Sequence, residues 1–488
     1  MASLTNVRDE IRERFRQHAI AAELADAMLG LFTIEDLSVH SAYKWRHTIL
    51  FCKPTKTIAE SLLLNREVLA MITNVDDLQV RTLHVAKGII QSTKGRLEPA
   101  LFFVVHADPR GDEKLRSWGR EQGYKIIPIY RSLKGEIPSP EGLKRKLSED
   151  LFAYDPFSLT GPVHEDADFF GRKANATDTL RHLEHGAILS FFGIRKIGKT
   201  SLINRVISLA RSTKSLNVAM IDCSVEAFYG LGAKEALGVV AKASRMAATR
   251  GYAHITEALK VSNEEILPVF DGLWSNAEHK KPLALIFDEV DYITPASPTA
   301  PHWGDEFNRF WREFRAVYQE AQRMNFRLSV LVSGVSSQAF KIESFGGVEN
   351  AVLHFVPETY LSPFARQAST EMIKALSKRC GLAFSTDDRE RIAEACGDFP
   401  YWIRLAGSFM HRELEVADRP YTVDSELVGH LLKEFVVSDG ADVARVALED
   451  LRRKYPESFR LLEEAAAKPC LSLSHGSLLL RYGLVSKI

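Results

Sequence analysis

The sequence AILSFFGIRKIGKTS at residues 187–201 joins an apolar run to a glycine-bounded loop and the start of a helical pattern. Gly193 to Thr200 fit the spacing G-x-x-x-x-G-K-[ST]. Glycines allow backbone N–H groups to curl around a phosphate, and the helix that follows adds its positive N-terminal end. A chance match in an ordinary loop is the alternative, but it does not explain the flanking strand and helix patterns. We therefore predict a nucleoside-triphosphate site in which Lys199 reaches the β- and γ-phosphates and Thr200 holds Mg²⁺.

A second signal is the apolar strand at residues 282–287, which ends in Asp288 and Glu289. In a parallel sheet such a strand is buried, and its carboxyl end faces the edge where ligands bind. Asp288 is expected to hold the Mg²⁺ shell through water, and Glu289 to polarise the attacking water. An ordinary buried strand capped by acids is the alternative for this stretch alone. Ser333 ends a further apolar strand and is a candidate γ-phosphate sensor, unless it belongs to a simple turn.

Length, charge and cysteine spacing limit the classes of protein to which the chain can belong. A chain of 488 residues exceeds one typical core, so about two to four domains are expected. Lys plus Arg and Asp plus Glu both total 63, so no global basic field indicates nucleic acid, although a local patch stays open. The five cysteines never form C-x-x-C, which argues against a zinc module and favours free thiols in a cytoplasmic protein. The charged N-terminus does not fit a signal peptide, and no run has the ~20 apolar residues of a membrane helix.

Residues 1–150 alternate apolar runs with helical patterns, which predicts a small α/β domain with some parallel strands. The pattern predicts strands at 47–52, 101–105 and 125–130, and helices at 57–71 and 113–122. Between residues 133 and 168 the density of proline and glycine indicates a connector. After it we expect an ATPase core at 165–355, a helical lid at 356–420 and a winged-helix-like module at 421–488.

One strand of the N-terminal domain ends in His106 and Asp108, where open α/β sheets place ligands. Residues 102–129 are similar in outline to the late part of restriction-endonuclease-like folds. Such a nuclease also needs a metal-binding acid and an E-x-K-type pair. Asp76, Asp77 and Gln79 lie nearby in sequence but form no clean triad. A solvated strand end is therefore the favoured interpretation of His106 and Asp108.

Taken together, four motifs resemble the archaeal-type and STAND-like branch of AAA-related P-loop ATPases. They are Phe170-Gly171-Arg172 before the loop, the G-x-R-x-x-G-K-T-S-L form of the loop itself, the strand ending in Asp288-Glu289, and Gly397-Asp398-Phe399-Pro400 in the lid. The resemblance implies that ATP and Mg are the cofactors and that the phenylalanine-glycine-arginine element helps to seat the adenine. It also implies a nucleotide contact near Pro400, with Tyr401 or Trp402 against the nucleotide. The expected nucleotide-binding residues are Gly171, Arg172, Gly193, Ile197, Gly198, Lys199, Thr200, Ser201, Ser333 and Pro400.

The resemblance predicts an α/β fold with a P-loop NTPase core, and an ATP-dependent switch that regulates the N-terminal domain or a partner protein. An arginine finger is not identified; Arg327, Arg366, Arg379 and Arg404 are the candidates. Two alternatives stay open: a DNA-binding initiator or loader that uses the C-terminal module, and a nuclease gated by ATP with Asp77 or Asp108 at its metal site. A homo-oligomer stays open as well.

Overall fold

The computed structural model describes residues 4–62, 64–122, 124–131, 140–158, 161–164, 166–260, 281–297, 299–345, 347–467 and 478–485. The chain forms two compact units. The first unit comprises Met1–Ser158, Thr370–Ile392 and Leu405–Asp439; the second comprises Leu159–Ser369, Ala393–Arg404 and Gly440–Ile488. No helix among the described residues is long and apolar enough to cross a membrane.

The first unit is built on a five-stranded sheet with strand order β1-β2-β3-β4-β5. Its N-terminal elements are α1 (Arg12–Arg16), α2 (Ala19–Ala27), β1 (Phe32–Ala42), β2 (Trp45–Pro54), α3 (Lys56–Leu62), β3 (Glu67–Ile72), α4 (Val80–Ser92), β4 (Leu97–His106), α5 (Gly111–Gln122), β5 (Lys125–Tyr130) and α6 (Pro140–Phe152). The first three strands are antiparallel, and β3, β4 and β5 are parallel. Apolar clusters cover both faces of the sheet, so its central strands are apolar throughout.

Two local predictions in this unit are wrong. The helix predicted at 57–71 ends at Leu62, and Glu67–Ile72 is strand β3. A short apolar run buried on both faces lacks the alternation of period two, so its periodicity does not separate strand from helix. The connector predicted from residue 133 contains helix α6, which begins at Pro140 because a proline suits the first helical position. Residues 132–139 lie outside the described residues.

The second unit contains a parallel sheet with strand order β6-β10-β9-β7-β8. Its core elements are α7 (Lys173–Glu184), β6 (Ile188–Phe192), α8 (Lys199–Thr213), β7 (Asn217–Asp222), α9 (Glu226–Tyr229), α10 (Ala233–Arg250), β8 (Tyr252–His254), α11 (Ile255–Leu259), β9 (Leu283–Asp288), α12 (Trp303–Arg323) and β10 (Leu328–Gly334). An apolar cluster with α10 and α12 packs on one face, and a second with α7 and α8 packs on the other. The predicted α/β class with a parallel sheet is confirmed.

The C-terminal part of the chain is helical. Its helices are α13 (Arg366–Arg379), α14 (Thr386–Ala395), α15 (Pro400–Glu413), α16 (Ser425–Val437), α17 (Asp439–Lys454), α18 (Pro456–Ala467) and α19 (Leu478–Arg481). Short strand pairs join Ser344–Phe345 to Val348–Glu349, and Leu382–Ala383 to Tyr421–Thr422. Residues 468–477 and 486–488 lie outside the described residues, so the winged-helix-like module stays a prediction.

Candidate functional site

The loop between β6 and α8 has the backbone shape of an anion-binding turn. Lys196 and Gly198 both have positive φ, 65° and 100°, immediately before α8 begins at Lys199. A side chain at Gly193 would meet Ile197 Cγ2 at 3.2 Å and the Leu361 carbonyl oxygen at 3.3 Å, so this position needs glycine. The N-terminal turn of α8 leaves backbone N–H groups without intrahelical partners, and these face the loop. The loop therefore offers several donors and a positive helix end to a phosphate group.

Lys199 is held at the loop by the loop's own carbonyls. Its Nζ donates to the oxygens of Gly193 at 2.8 Å and Ile194 at 3.2 Å, and only 5% of the residue is exposed. Burial lowers the pKa of Lys199, whereas the nearby carboxylates of Glu289, Asp291 and Asp288 oppose that shift. The ammonium group is thus a buried cation that a bound anion would stabilise further.

Thr200 and Asp288 are brought together from distant parts of the sequence. The Thr200 hydroxyl donates to Asp288 Oδ2 at 2.9 Å, and Asp288 Oδ1 accepts the Glu289 N–H at 3.0 Å. Burial raises the pKa of Asp288, and the hydrogen bond from Thr200 opposes this shift. A hydroxyl beside a buried carboxylate is the oxygen donor set that Mg²⁺ prefers, with waters completing its octahedral shell. The residues present therefore fit the metal that the sequence predicts.

Strand β10 lies between β6 and β9, so the residues at its carboxyl end separate the loop from the acidic strand. Ser333 is fully buried there, and its hydroxyl has no hydrogen-bond partner among the described residues. Beyond it, Asp291 accepts hydrogen bonds from the N–H groups of Val335 at 2.6 Å and Ser336 at 3.3 Å. These bonds tie the end of the acidic strand to the end of β10.

Glu289 occupies a strained position at the mouth of the site. Its φ is 51°, in the left-handed region that residues other than glycine rarely adopt. Burial raises its pKa, with the Lys199 cation opposing the shift. Strain of this kind persists where the surrounding structure holds it and often accompanies function. A carboxylate with a raised pKa beside a buried lysine has the character expected of a general base.

A cavity of about 410 Å³ opens over these groups. Of the predicted residues, those that line it are Gly198, Lys199, Thr200, Ser201, Glu289 and Pro400. Gly171, Arg172, Gly193, Ile197, Asp288 and Ser333 are not among its lining residues. The volume falls within the ~300–1,000 Å³ range of small-molecule sites. Three basic side chains besides Lys199 line the cavity, which suits a polyanion: Arg195, Lys196 and Arg404.

Several lining residues are ones that the sequence analysis did not assign to the site. Gly161, Pro162 and Val163 line the cavity, and the Val163 N–H donates to the Ser201 hydroxyl at 3.0 Å. Their proline and glycine content indicated only a connector. Of the two aromatic residues that the resemblance placed at the nucleotide, Tyr401 lines the cavity, with the Lys196 ammonium 5.1 Å from its ring centroid, whereas Trp402 packs against an apolar cluster. The Gly-Pro step and the tyrosine give this end of the cavity apolar surface suited to a base.

Arg172 lies behind the phosphate loop. Its Nη1 donates to the Ile197 carbonyl at 2.7 Å and its Nη2 to the Ser362 carbonyl at 2.7 Å. The guanidinium lies 5.1 Å from the ring centroid of Phe364, and burial lowers its pKa to about 10. Gly171 has φ 71°, and a side chain there would meet the Phe364 ring at 3.0 Å. In the structure, Arg172 thus joins the loop to residue 362.

The arginine-finger candidates have different surroundings. Arg404 lines the cavity and its Nη2 donates to the Asp168 carbonyl at 3.3 Å. Arg366 forms an ion pair with Asp398 at 3.0 Å, and Arg327 donates to the Glu184 carbonyl at 3.4 Å. Arg379 belongs to helix α13 and is not among the cavity residues. Of the four, only Arg404 is among the residues that line this cavity.

The acids proposed for a nuclease site are engaged with a lysine. Lys114 Nζ contacts Asp77 at 2.8 Å and Asp108 at 2.7 Å, and Asp108 also accepts the Leu78 N–H at 2.9 Å. His106 contacts Asp112 at 2.9 Å. His106 and Asp108 are 1% and 3% exposed, so the interpretation as a solvated strand end is wrong. Among the described residues, no group of three or more His, Cys, Asp or Glu side chains could hold a metal ion.

No protein-family model matches the sequence, and a search of curated proteins finds no match. Solved structures do resemble it. The Walker-type ATPase PABY2304 of Pyrococcus abyssi is 17% identical with a TM-score of 0.43, covering 67% of this chain and 91% of its own. Cdc6p from Pyrobaculum aerophilum is 13% identical with a TM-score of 0.33, and the match covers 53% of this chain and 64% of Cdc6p. The Thermotoga maritima RuvB Holliday junction branch migration motor is 11% identical with a TM-score of 0.35, and the match covers 66% of this chain and 90% of RuvB. Because these identities and TM-scores are low, the roles of the site residues rest on the geometry of the site alone.

Proposed function

We propose that the second unit binds ATP with Mg²⁺ and hydrolyses it. The observation that carries this proposal is the hydrogen bond of 2.9 Å between Thr200 and Asp288, placed beside Lys199 at the start of α8. Bound Mg²⁺ would neutralise charge on the β- and γ-phosphates and act as a Lewis acid. Thr200 would hold the metal directly, and Asp288 would hold its shell through water. Lys199 would exchange its carbonyl partners for phosphate oxygens.

Glu289 is the proposed general base. It adjoins Asp288 in the sequence, lines the cavity and has a pKa raised by burial. A raised pKa makes the carboxylate a stronger proton acceptor, so it can orient and deprotonate a water next to the γ-phosphate. Arg404 would place a positive charge near the phosphates. The adenine would lie at the other end of the cavity, between residues 161–163 and Pro400 with Tyr401.

We further propose that the site works as a STAND-like switch through the C-terminal segment at residues 478–485. The Tyr482 hydroxyl donates to the Val335 carbonyl at 3.0 Å, and its ring lies 5.7 Å from that of Tyr360. Arg481 forms an ion pair with Glu358. Val335 follows Ser333 by two residues and is held by Asp291. A displacement of β10 by the γ-phosphate would therefore reach the C-terminal segment through one short stretch of backbone.

In this proposal, hydrolysis returns the C-terminal segment to its original position. This change would regulate the first unit or a partner protein. The DNA-binding initiator stays an alternative prediction from the sequence. Arg452 and Arg453 form a small basic cluster near the end of α17, and replacing them tests this alternative by the loss of salt-dependent DNA binding. The ATP-gated nuclease is not proposed, because Lys114 forms ion pairs with both Asp77 and Asp108 and no group of three or more metal-binding side chains is found among the described residues.

The proposal is tested by nucleotide binding and phosphate release in Lys199→Ala and Glu289→Gln. The first is expected to lose ATP affinity because it removes the buried cation. The second is expected to bind ATP normally and to lose hydrolysis by at least a hundredfold. Exposed residues provide matched controls, Lys173→Ala on α7 and Glu313→Gln on α12. Undiminished binding in Lys199→Ala, or unchanged turnover in Glu289→Gln, contradicts the assignment.

A further inference from the structure

The β1–β2 hairpin extends beyond the sheet of the first unit. Strand β2 pairs with β3 only from Thr48 to Cys52, but it pairs with β1 from Trp45 to Pro54. The last pairs, from His40–His47 to Ala42–Trp45, thus form a two-stranded ribbon without a third described strand. We call residues 39–47 the hairpin tip. A two-stranded ribbon is marginally stable in water, so its sequence is expected to favour the turn strongly.

The turn residues do not meet that expectation. Tyr43 and Lys44 form a two-residue turn in which both have positive φ, 51° and 70°. This turn favours Asn-Gly or Asp-Gly, because side chains with a bulky Cβ substituent are strained at positive φ. The strained pair lies at the exposed end of the hairpin. Strain of this kind indicates that the side chains serve a purpose other than forming the turn.

The side chains at the hairpin tip are aromatic and basic. Tyr43 is 57% exposed and Trp45 is 40% exposed. Lys44 and Arg46 are exposed beside them, and the exposed Arg81 of α4 places its guanidinium 5.8 Å from the Tyr43 ring centroid. In the part of the chain that the structure describes, no carboxylate forms an ion pair with Lys44, Arg46 or Arg81. The hairpin tip therefore combines exposed rings with an uncompensated local positive charge on a protein of zero formal net charge.

We propose that the hairpin tip binds single-stranded nucleic acid. Bases would stack on Tyr43 and Trp45, while Lys44, Arg46 and Arg81 would contact phosphates. Rings beside cations suit a strand whose bases are unstacked, because each base has a flat face and each link carries a negative charge. A duplex offers its phosphates but hides the base faces, so it leaves the rings without partners. The small number of cations predicts binding that weakens as salt rises but does not depend on charge alone.

The test measures the fluorescence anisotropy of a labelled oligothymidylate mixed with the full-length protein over a series of salt concentrations. No ATP is added. The variant Trp45→Val keeps a residue that favours strands but removes the ring, and is expected to weaken binding about 5- to 100-fold. The double variant Tyr43→Asn with Lys44→Gly installs the favoured turn and removes a ring and a charge. Tyr154→Ala, an exposed tyrosine elsewhere in the first unit, is the matched control and should bind as the parent does.

The double variant separates folding from binding. We expect its melting temperature to equal or exceed that of the parent, because the turn is relaxed, while its affinity falls at least tenfold. The proposal is overturned if the parent does not bind the oligothymidylate at low salt, or if both variants bind it as the parent does. Equal affinity for duplex DNA, or full competition by inorganic polyphosphate, overturns the stacking on which it rests. Because the assay contains no ATP, none of these outcomes depends on the proposed ATPase activity.

Discussion

Replacing Arg172 with alanine removes two hydrogen bonds that hold the phosphate loop from behind. The guanidinium donates to the Ile197 and Ser362 carbonyls at 2.7 Å each, and 7% of the residue is exposed. The family resemblance implies that this arginine helps to seat the adenine, whereas the geometry makes it a positioning residue for the loop. The two interpretations predict different results for the protein without nucleotide.

The size of the effect follows from these contacts. A hydrogen bond from a charged donor contributes about 1.5–3 kcal/mol, so two contribute about 3–6 kcal/mol. Burial of the guanidinium, which lowers its pKa to about 10, offsets part of this gain. We expect Arg172→Ala to lower the free energy of unfolding by about 2–4 kcal/mol, allowing for that offset. This corresponds to a fall in melting temperature of about 3–7 °C for a unit of this size.

The assay combines thermal unfolding without nucleotide and ATP binding at a temperature where each variant is folded. Arg172→Lys keeps the charge but cannot span both carbonyls, so its melting temperature should lie between those of the parent and the alanine variant. Arg181→Ala, an exposed arginine on α7, is the control and should change stability by about 0.5 kcal/mol or less. If Arg172→Ala keeps the parent's melting temperature but loses ATP affinity tenfold, the arginine contacts the nucleotide and our reasoning is refuted.

Three further predictions concern the metal pair and the C-terminal contact. Thr200→Val should keep metal-free nucleotide binding but lose Mg²⁺-stimulated hydrolysis at least tenfold; equal Mg²⁺ stimulation in both proteins would argue against the metal role. Because burial raises the pKa of Asp288, the folded state holds the proton up to a higher pH than the unfolded state does, so stability rises as pH falls through the raised pKa towards the ordinary aspartate pKa. Asp288→Asn should therefore resist unfolding better than the parent at pH 7, with a flatter pH profile and no hydrolysis; a lower stability in urea titrations would contradict this. Tyr482→Phe removes the hydrogen bond to Val335 and should lower the free energy of unfolding by about 1 kcal/mol. It should leave the ATP Kd unchanged but alter the rate of steady-state hydrolysis several-fold. An unaltered rate would count against the switch.

Local patterns failed where burial removed their periodicity. Residues 67–72 are apolar on both faces of a sheet, so the sequence pattern extended the preceding helix through them. His106 and Asp108 are polar residues at a strand end and suggested exposure. The fold buries both because Asp112 and Lys114, from the following helix, turn back and pair with them.

Sequence motifs alone predicted the loop at residues 193–200, the strand ending in Asp288-Glu289 and the α/β class of the second unit. Glycines at required backbone positions, a lysine and threonine at fixed offsets, and an apolar strand ending in acids act locally, so their spacing is visible in the chain. Which distant groups meet followed from the folded structure. Thr200 contacts Asp288, Arg172 lies behind the loop, residues 161–163 line the cavity, and of Tyr401 and Trp402 it is Tyr401 that lines it. Such contacts depend on strand order and helix packing, which the chain specifies only once its apolar surfaces are buried together.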